Sequence, residues 1–552
     1  MIGSASDAKR AFRSQRVGVA RWLRAAALSI ALAGCEAADP ATEASAPDEK
    51  PAPDDARREA SRSPERPGRI ILFSMDTVRA ASVSGYANTD TTPNLEAIAA
   101  QGVRFSDFYA AATFTLPATM SIFTGLDALE HGLWNEAAVL SPEVPTLAEL
   151  LGDAGYRTQA FHEGGYVGAN FGFDRGFEQY YFYRQRKVVQ ESLWPILEWM
   201  RSAADEPYFL FLHTYAAHDP YGGFDRYRRE HPERELPTRA EIDQFRIEFA
   251  MREIGVPTPA MTAPTEIRAL CTLFNQLADD NAERLACGYN YLPASFPETP
   301  HFELDRAALV RGYEQRIRSI DRALGQIRAL LTELDQWDDT LFVITSDHGE
   351  AFFEHGMYKH DQVPFDEVLR VPLILSYPRL LRERTVRVNT RLAWHLDLLP
   401  TILGLANVDY PGELRGVDLL ARSKGAEPSE TGRTIFPGVL RIPNEGMEPI
   451  RRVAVNHRFK LIEGHPKFGD GEGLLFDRQE SPDERENLRT ANPEVFDALT
   501  ERTRRYESEL EIRPAIHRET GQPITTTPGE FPATFELTPE EEKFLRALGY
   551  RD

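Results

Sequence analysis

Arg69-Ile70-Ile71-Leu72-Phe73-Ser74-Met75-Asp76 is a short apolar, β-branched run that halts on a carboxylate. Continuous apolar runs of this length are what parallel strands buried on both faces look like in sequence. Thr340-Leu341-Phe342-Val343-Ile344-Thr345-Ser346 repeats the design and halts on Asp347-His348-Gly349-Glu350. A third run, Phe209-Leu210-Phe211-Leu212-His213-Thr214-Tyr215, has the same character. Helix-like stretches alternate with these runs at Asn94–Gln101, Thr146–Ala154 and, with apolar residues at three- and four-residue steps, Leu309–Leu334. The pattern predicts an α/β fold with a mostly parallel central sheet flanked by helices. In such sheets, ligands gather beyond the carboxyl ends of the strands, so Asp76 and Asp347, about 270 residues apart, can share one site.

Between them stands Thr115-Leu116-Pro117-Ala118-Thr119. A hydroxyl on a turn, two carboxylates and an imidazole are the parts of a metal-activated nucleophile. Asp76, Asp347 and His348 would hold a cation, and the cation would help the Thr115 alcohol act as an alkoxide. An imidazole in the set argues for a single zinc- or manganese-like ion, with calcium as the alternative, since hard ions prefer all-oxygen shells.

Several motifs resemble the sulfatase family of the alkaline phosphatase superfamily. Asp76-Thr77-Val78-Arg79, Thr92-Pro93-Asn94-Leu95, Gly102-Val103-Arg104-Phe105 and Thr115-Leu116-Pro117 are similar to its first half. Ser346-Asp347-His348-Gly349-Glu350, Glu354-His355-Gly356 and Leu369-Arg370-Val371-Pro372-Leu373 are similar to its second. Leu475-Phe476-Asp477, Pro482-Asp483-Glu484, Asn487-Leu488, Leu537-Thr538-Pro539-Glu540 and Leu548-Gly549-Tyr550 resemble its C-terminal signature. The likeness runs from about residue 68 to the end, with a poor match near 222–305. It implies an alkaline-phosphatase-like sheet and metal-dependent cleavage of sulfate or phosphate esters.

The departures carry mechanistic information. Where the family has a cysteine or serine that becomes formylglycine, this chain has Thr115, whose β-carbon already bears a methyl group and cannot become that aldehyde. The arginine four residues on is Thr119, the second aspartate of the usual pair is Thr77, and the asparagine after the late aspartate is His348. Phe161-His162-Glu163-Gly164-Gly165 replaces a Lys-Trp-His segment. An Asp/Thr/Asp/His set instead resembles nucleotide phosphodiesterases and lipoteichoic-acid-type phosphoglycerol transferases, which use threonine directly. The nucleophile therefore leans toward phosphorus. By the same resemblance, His218 in Ala216-Ala217-His218-Asp219-Pro220-Tyr221, together with Lys359 and His360, would touch the ester oxygens or protonate the leaving group. Lys359 is as readily a solvated surface lysine. His213, inside its strand, reads as packed, and Arg79 as either near the site or structural.

The amino terminus has Lys9, Arg10, Arg13, Arg16, Arg21 and Arg24 before a short apolar stretch, Ala25 to Gly34, too brief to span a membrane. Leu32-Ala33-Gly34-Cys35 resembles the bacterial lipobox, with an ordinary signal peptide as the alternative. Residues 1–34 are thus expected to be a lipoprotein leader, and 35–67, poor in large apolar groups, a disordered tether. A catalytic α/β domain would follow over 68–425, with an insertion at about 222–305. A C-terminal α+β subdomain and tail over 426–552 would carry strands at Arg452–Val455, Phe459–Ile462 and Gly473–Phe476 and a helix at Pro493–Glu507. The expected location is the bacterial cell envelope, anchored to the membrane through lipidated Cys35 and facing the periplasm or the exterior.

A net charge of −22 argues against nucleic-acid binding, which wants a basic stripe. The expected partner is an anionic ester on a glycan, lipid headgroup or envelope polymer. Cys271 and Cys287 are either a disulfide in an oxidising compartment or two buried thiols. A non-catalytic lipoprotein that binds an anionic ligand or a protein is the competing class, with Thr77 and Thr119 as signs of decay. The joint presence of Asp76, Thr115, Asp347, His348, His218 and His360 favours the enzyme, because a binding module has no use for a hydroxyl among metal ligands.

Overall fold

Strand β1 (Arg69–Met75) lies at the centre of an eight-stranded sheet. The others, in chain order, are β2 (Val103–Phe105), β3 (Arg157–His162), β4 (Gln179–Phe182), β5 (Tyr208–Thr214), β6 (Thr340–Thr345), β7 (Leu373–Ser376) and β8 (Val388–Asn389). Across the sheet they run β8-β2-β7-β6-β1-β5-β3-β4. All are parallel except β7, which runs against both β6 and β2. The computed structural model describes residues 66–524 apart from 135–136, 184–192, 233–271, 274, 278–295, 300, 361–362, 383–387, 421–431, 440–450, 465–472 and 519. The leader, Cys35, Cys271, Cys287, most of the expected insertion and the motifs after residue 536 lie outside the described residues.

The alternation of side chains along the central strands builds two cores, one on each face. Ile70, Leu72, Phe209, Phe211, Leu341 and Val343 face one side. They pack with α2 (Thr115–Thr124), α3 (Leu147–Asp153) and α6 (Leu398–Ala406). Ile71, Phe73, Leu210, Leu212, Phe342 and Ile344 face the other, against α1 (Pro93–Ala99), α4 (Leu193–Ser202) and the long α5 (Phe302–Glu333). Helix α5 begins seven residues before the apolar periodicity suggests, inside the stretch expected to be an insertion. Helix α3 opens on Thr146, which accepts from the Glu149 N–H while the Glu149 carboxylate takes the Thr146 N–H, a capping box.

The C-terminal part is an antiparallel sheet of Thr434–Ile435, Arg451–Asn456, Phe459–Ile462 and Leu474–Asp477, with Gly438–Val439 also paired to the second of these. Helix α7 (Pro493–Ser508) packs on it. The junction with the α/β body is ionic and buried. Arg452, 1% exposed, grips both oxygens of Asp127 at 2.9 and 3.0 Å, and Tyr506 donates to the same carboxylate at 2.9 Å. No helix among the described residues is long and apolar enough to cross a membrane.

Candidate active site

The register of the sheet brings the site together. Residues Ser74 and Met75 of β1 lie opposite His213 and Thr214 of β5 on one side, and Ser74 lies opposite Thr345 of β6 on the other. The residues that follow, Asp76 and Asp347, therefore emerge side by side. Ser346 Oγ accepts from the Val78 N–H at 2.9 Å and lies against the Met75 and His348 carbonyls, which ties the two strand ends together. Thr77, in the left-handed region at φ 60°, turns its N–H to Asp347 Oδ1 at 3.3 Å, and Tyr313 donates to its carbonyl at 2.7 Å. A β-branched residue there is strained, typically by about 1–3 kcal/mol, and persists only where its surroundings fix it. In the Asp347-His348-Gly349 turn, a Cβ at Gly349 would lie 2.1 Å from the Glu367 carbonyl, so only glycine fits.

Thr115 is the first residue of α2, every residue of which is buried. Gly125, at φ 67°, closes the helix in the left-handed conformation. The segment leading into α2 is pinned to the end of β6 by His395, whose Nε2–H donates to the Ser346 carbonyl at 2.9 Å while Nδ1 accepts from the Ala111 N–H at 3.1 Å. Thr115 Oγ1 then stands 3.1 Å from His348 Nε2. The other nitrogen, Nδ1, lies 3.0 Å from the Gly349 carbonyl, which can only accept, so for the neutral ring Nε2 is the acceptor facing the threonine. Burial pushes the His348 imidazole down to about 4 against the pull of Asp347, so the ring is neutral.

The acidic groups converge on an imidazole that the sequence reading assigned to packing. Asp76, His213 and Asp347 each place a ligand atom within 4.8 Å of the others. His213 Nδ1 is 2.8 Å from the Glu163 carbonyl and must donate to it, which leaves Nε2 of the neutral ring aimed at Asp76 Oδ2 (3.5 Å) and Asp347 Oδ2 (3.6 Å). These distances are too long for good hydrogen bonds. Asp347 Oδ2 and His213 Nε2 are buried with no hydrogen-bond partner among the described residues. Two carboxylates and an imidazole buried together, at distances too long for good hydrogen bonds, fit a divalent cation. His213 is thus a candidate ligand, a correction to the sequence reading. His348 stands beside the trio, 3.8 Å from Asp347 Oδ2, and faces Thr115.

The remaining expected residues line the same region. The His360 ring is 4.3 Å from that of His348 and 5.3 Å from that of His218. Glu350, fully buried, holds His360 Nδ1 at 2.9 Å and accepts from the Tyr221 hydroxyl at 3.0 Å. His218 stacks on Tyr215 at 4.0 Å and pairs with Asp219 at 2.8 Å. Lys359 is buried and 3.3 Å from the same Asp219 carboxylate, so it is no solvated surface lysine. Arg79 is committed to Glu354 at 2.6 Å, a structural pairing. Thr119, where the family pattern has arginine, is buried with its hydroxyl unpartnered among the described residues.

The sulfatase family model matches residues 69–408, well over half of the chain. The chain belongs to the sulfatase family. A second model, that of the C-terminal region of N-sulphoglucosamine sulphohydrolase, matches residues 353–509 of this sulfatase-family protein. Membership makes it a hydrolase of the sulfuric ester class, and the mostly parallel sheet is the alkaline-phosphatase-like architecture that its structural neighbours share. An N-acetylglucosamine-6-O-sulfatase of Bacteroides thetaiotaomicron is 23% identical over 77% of this chain and 83% of its own. Among solved structures, one in complex with its substrate D-glucosamine-2-N,6-O-disulfate aligns with TM-score 0.59 and 20% identity, over 83% of this chain and all of that one. The phosphonate monoester hydrolase of Agrobacterium radiobacter aligns with TM-score 0.57 and 19% identity, over 80% of this chain and 96% of that one.

Proposed function

We propose that this sulfatase-family protein cleaves, or transfers from, anionic esters on a glycan, lipid headgroup or envelope polymer, with Thr115 as a direct nucleophile toward phosphorus rather than through formylglycine. The observation that carries this reading is the Thr115 hydroxyl 3.1 Å from His348 Nε2, at a helix start beside the Asp76–His213–Asp347 trio. Asp76, His213 and Asp347 would hold a divalent cation, which would supply Lewis acidity toward the anionic ester. The chain's own groups do the rest. His348 Nε2 takes the hydroxyl proton as Thr115 Oγ1 bonds to phosphorus and the leaving-group oxygen departs. His360 or His218 donates a proton to that departing alcohol. Water, or an acceptor alcohol, then frees Thr115 in the reverse sense. The N–H groups of Thr115 and Leu116 in the first turn of α2 lack intrahelical acceptors and favour the anion. Neighbours that include both a sulfated-sugar complex and a phosphonate monoester hydrolase support the ester class at this fold.

A substrate panel with metal supplementation tests this. Aryl phosphodiesters or phosphomonoesters should turn over faster than aryl sulfates, and Thr115→Ala should lose several powers of ten in kcat, on the order of what removal of a covalent nucleophile costs elsewhere. Turnover of sulfate esters alone, unchanged by Thr115→Ala, would overturn the threonine mechanism. The basic leader that precedes Cys35 supports anchoring at the cell envelope. Cys35→Ala should then move the protein from the membrane to the soluble fraction.

A further inference from the structure

A cavity of about 580 Å³ opens between α7 and the segments around residues 391, 415 and 433. Five arginines line it, Arg391, Arg415, Arg433, Arg502 and Arg505, against one acidic wall residue, Glu509. In a chain of net charge −22 this is an inversion of the surface average. Three of the five are spoken for by carboxylates. Arg415 reaches Glu130 at 2.8 Å, Arg505 reaches Glu509 at 2.8 Å, and Arg433 reaches Asp397. The other two carry surplus charge. Arg502 donates to the Gly432 carbonyl at 3.1 Å, and neither it nor Arg391 has a carboxylate partner among the described residues. Thr434, on the same wall, has a hydroxyl with no partner among the described residues. The floor is aromatic, with Phe436 and Tyr506 stacked at 4.2 Å.

None of the residues named at the catalytic centre lines this cavity. Guanidinium forks match tetrahedral oxyanions in geometry and charge, and an aromatic floor suits the apolar face of a sugar. The volume lies in the range of about 300–1,000 Å³ typical of small-molecule sites. We propose that this cavity binds a sulfate- or phosphate-bearing sugar at a second site, distinct from the one that cleaves the ester.

The test is calorimetric titration of the full chain carrying Thr115→Ala, which prevents turnover, with glucose 6-sulfate and, separately, glucose 6-phosphate. Adding Arg391→Ala and Arg502→Ala should weaken binding of at least one probe by about tenfold or more, and rising salt should weaken it further. The tighter probe identifies the ester. The same pair of substitutions with Thr115 restored should leave aryl-ester turnover within about twofold, which also shows that the fold is intact. Because the readout is binding, it holds whichever ester the catalytic centre cleaves. Equal affinity with and without the two arginines, for both probes, would contradict the proposal, as would no binding of either.

Discussion

Two regions of this molecule bury charge in opposite ways. At the junction with the C-terminal sheet, buried cations meet carboxylates. Arg452 meets Asp127 and Glu507, and Lys460, fully buried, lies between Asp366 and Glu484. At the carboxyl ends of β1, β5 and β6, two carboxylates and an imidazole face one another, and Asp347 Oδ2 and His213 Nε2 have no hydrogen-bond partner among the described residues. Matched ions hold parts of a fold in register. Unmatched acceptors in a dry space are unfavourable until something positive arrives, and that imbalance is the mark of a binding site.

This contrast is open to direct attack. Arg452→Met strands Asp127 in the core and should cost about 3–5 kcal/mol in urea unfolding, with metal content of the folded fraction unchanged. Chelation should act at the other end. Removing an ion present at about a hundredfold over its Kd lowers stability by about 2.7 kcal/mol, and His213→Ala should abolish that response. Acid should act at the junction. Burial raises the Asp127 carboxyl, but Arg452 outweighs it and holds the group below its usual value. A carboxylate whose folded value is depressed gives its full stabilisation above the unfolded value of about 4 and loses it as pH falls through the folded one. Asp127→Asn should therefore flatten the acid limb of the stability profile below about pH 4. Arg318→Ala, which breaks a pair with the 94% exposed Asp90, should cost no more than about 1 kcal/mol.

The strands that carry Asp76 and Asp347 were legible because burial on both faces leaves an uninterrupted apolar run, and because a carboxylate at its end has nowhere to go but the sheet's edge. The helices at Thr146–Ala154 and at 493 were legible from local chemistry, since caps and period are properties of neighbouring residues. His213 was not. A histidine within an apolar strand looks packed, and only the register of β5 against β1 reveals that it lies opposite Ser74, two residues before Asp76. The telling signal is its position one residue from the end of a strand beside the ligand-bearing one. Register is set by long-range pairing, which a single sequence does not display. Strands of two residues, such as β8 and Thr434–Ile435, escaped for the same reason. Lys359 was ambiguous until Asp219, far away in sequence, was seen to hold it.

Elemental analysis of the full-length protein, purified without chelators beside His213→Ala, tests the central claim most directly. One divalent ion per chain should accompany the parent protein, and well under one the variant, with esterase activity falling in step. A parent protein free of metal yet fully active, or a His213→Ala variant that keeps its ion, would contradict the account.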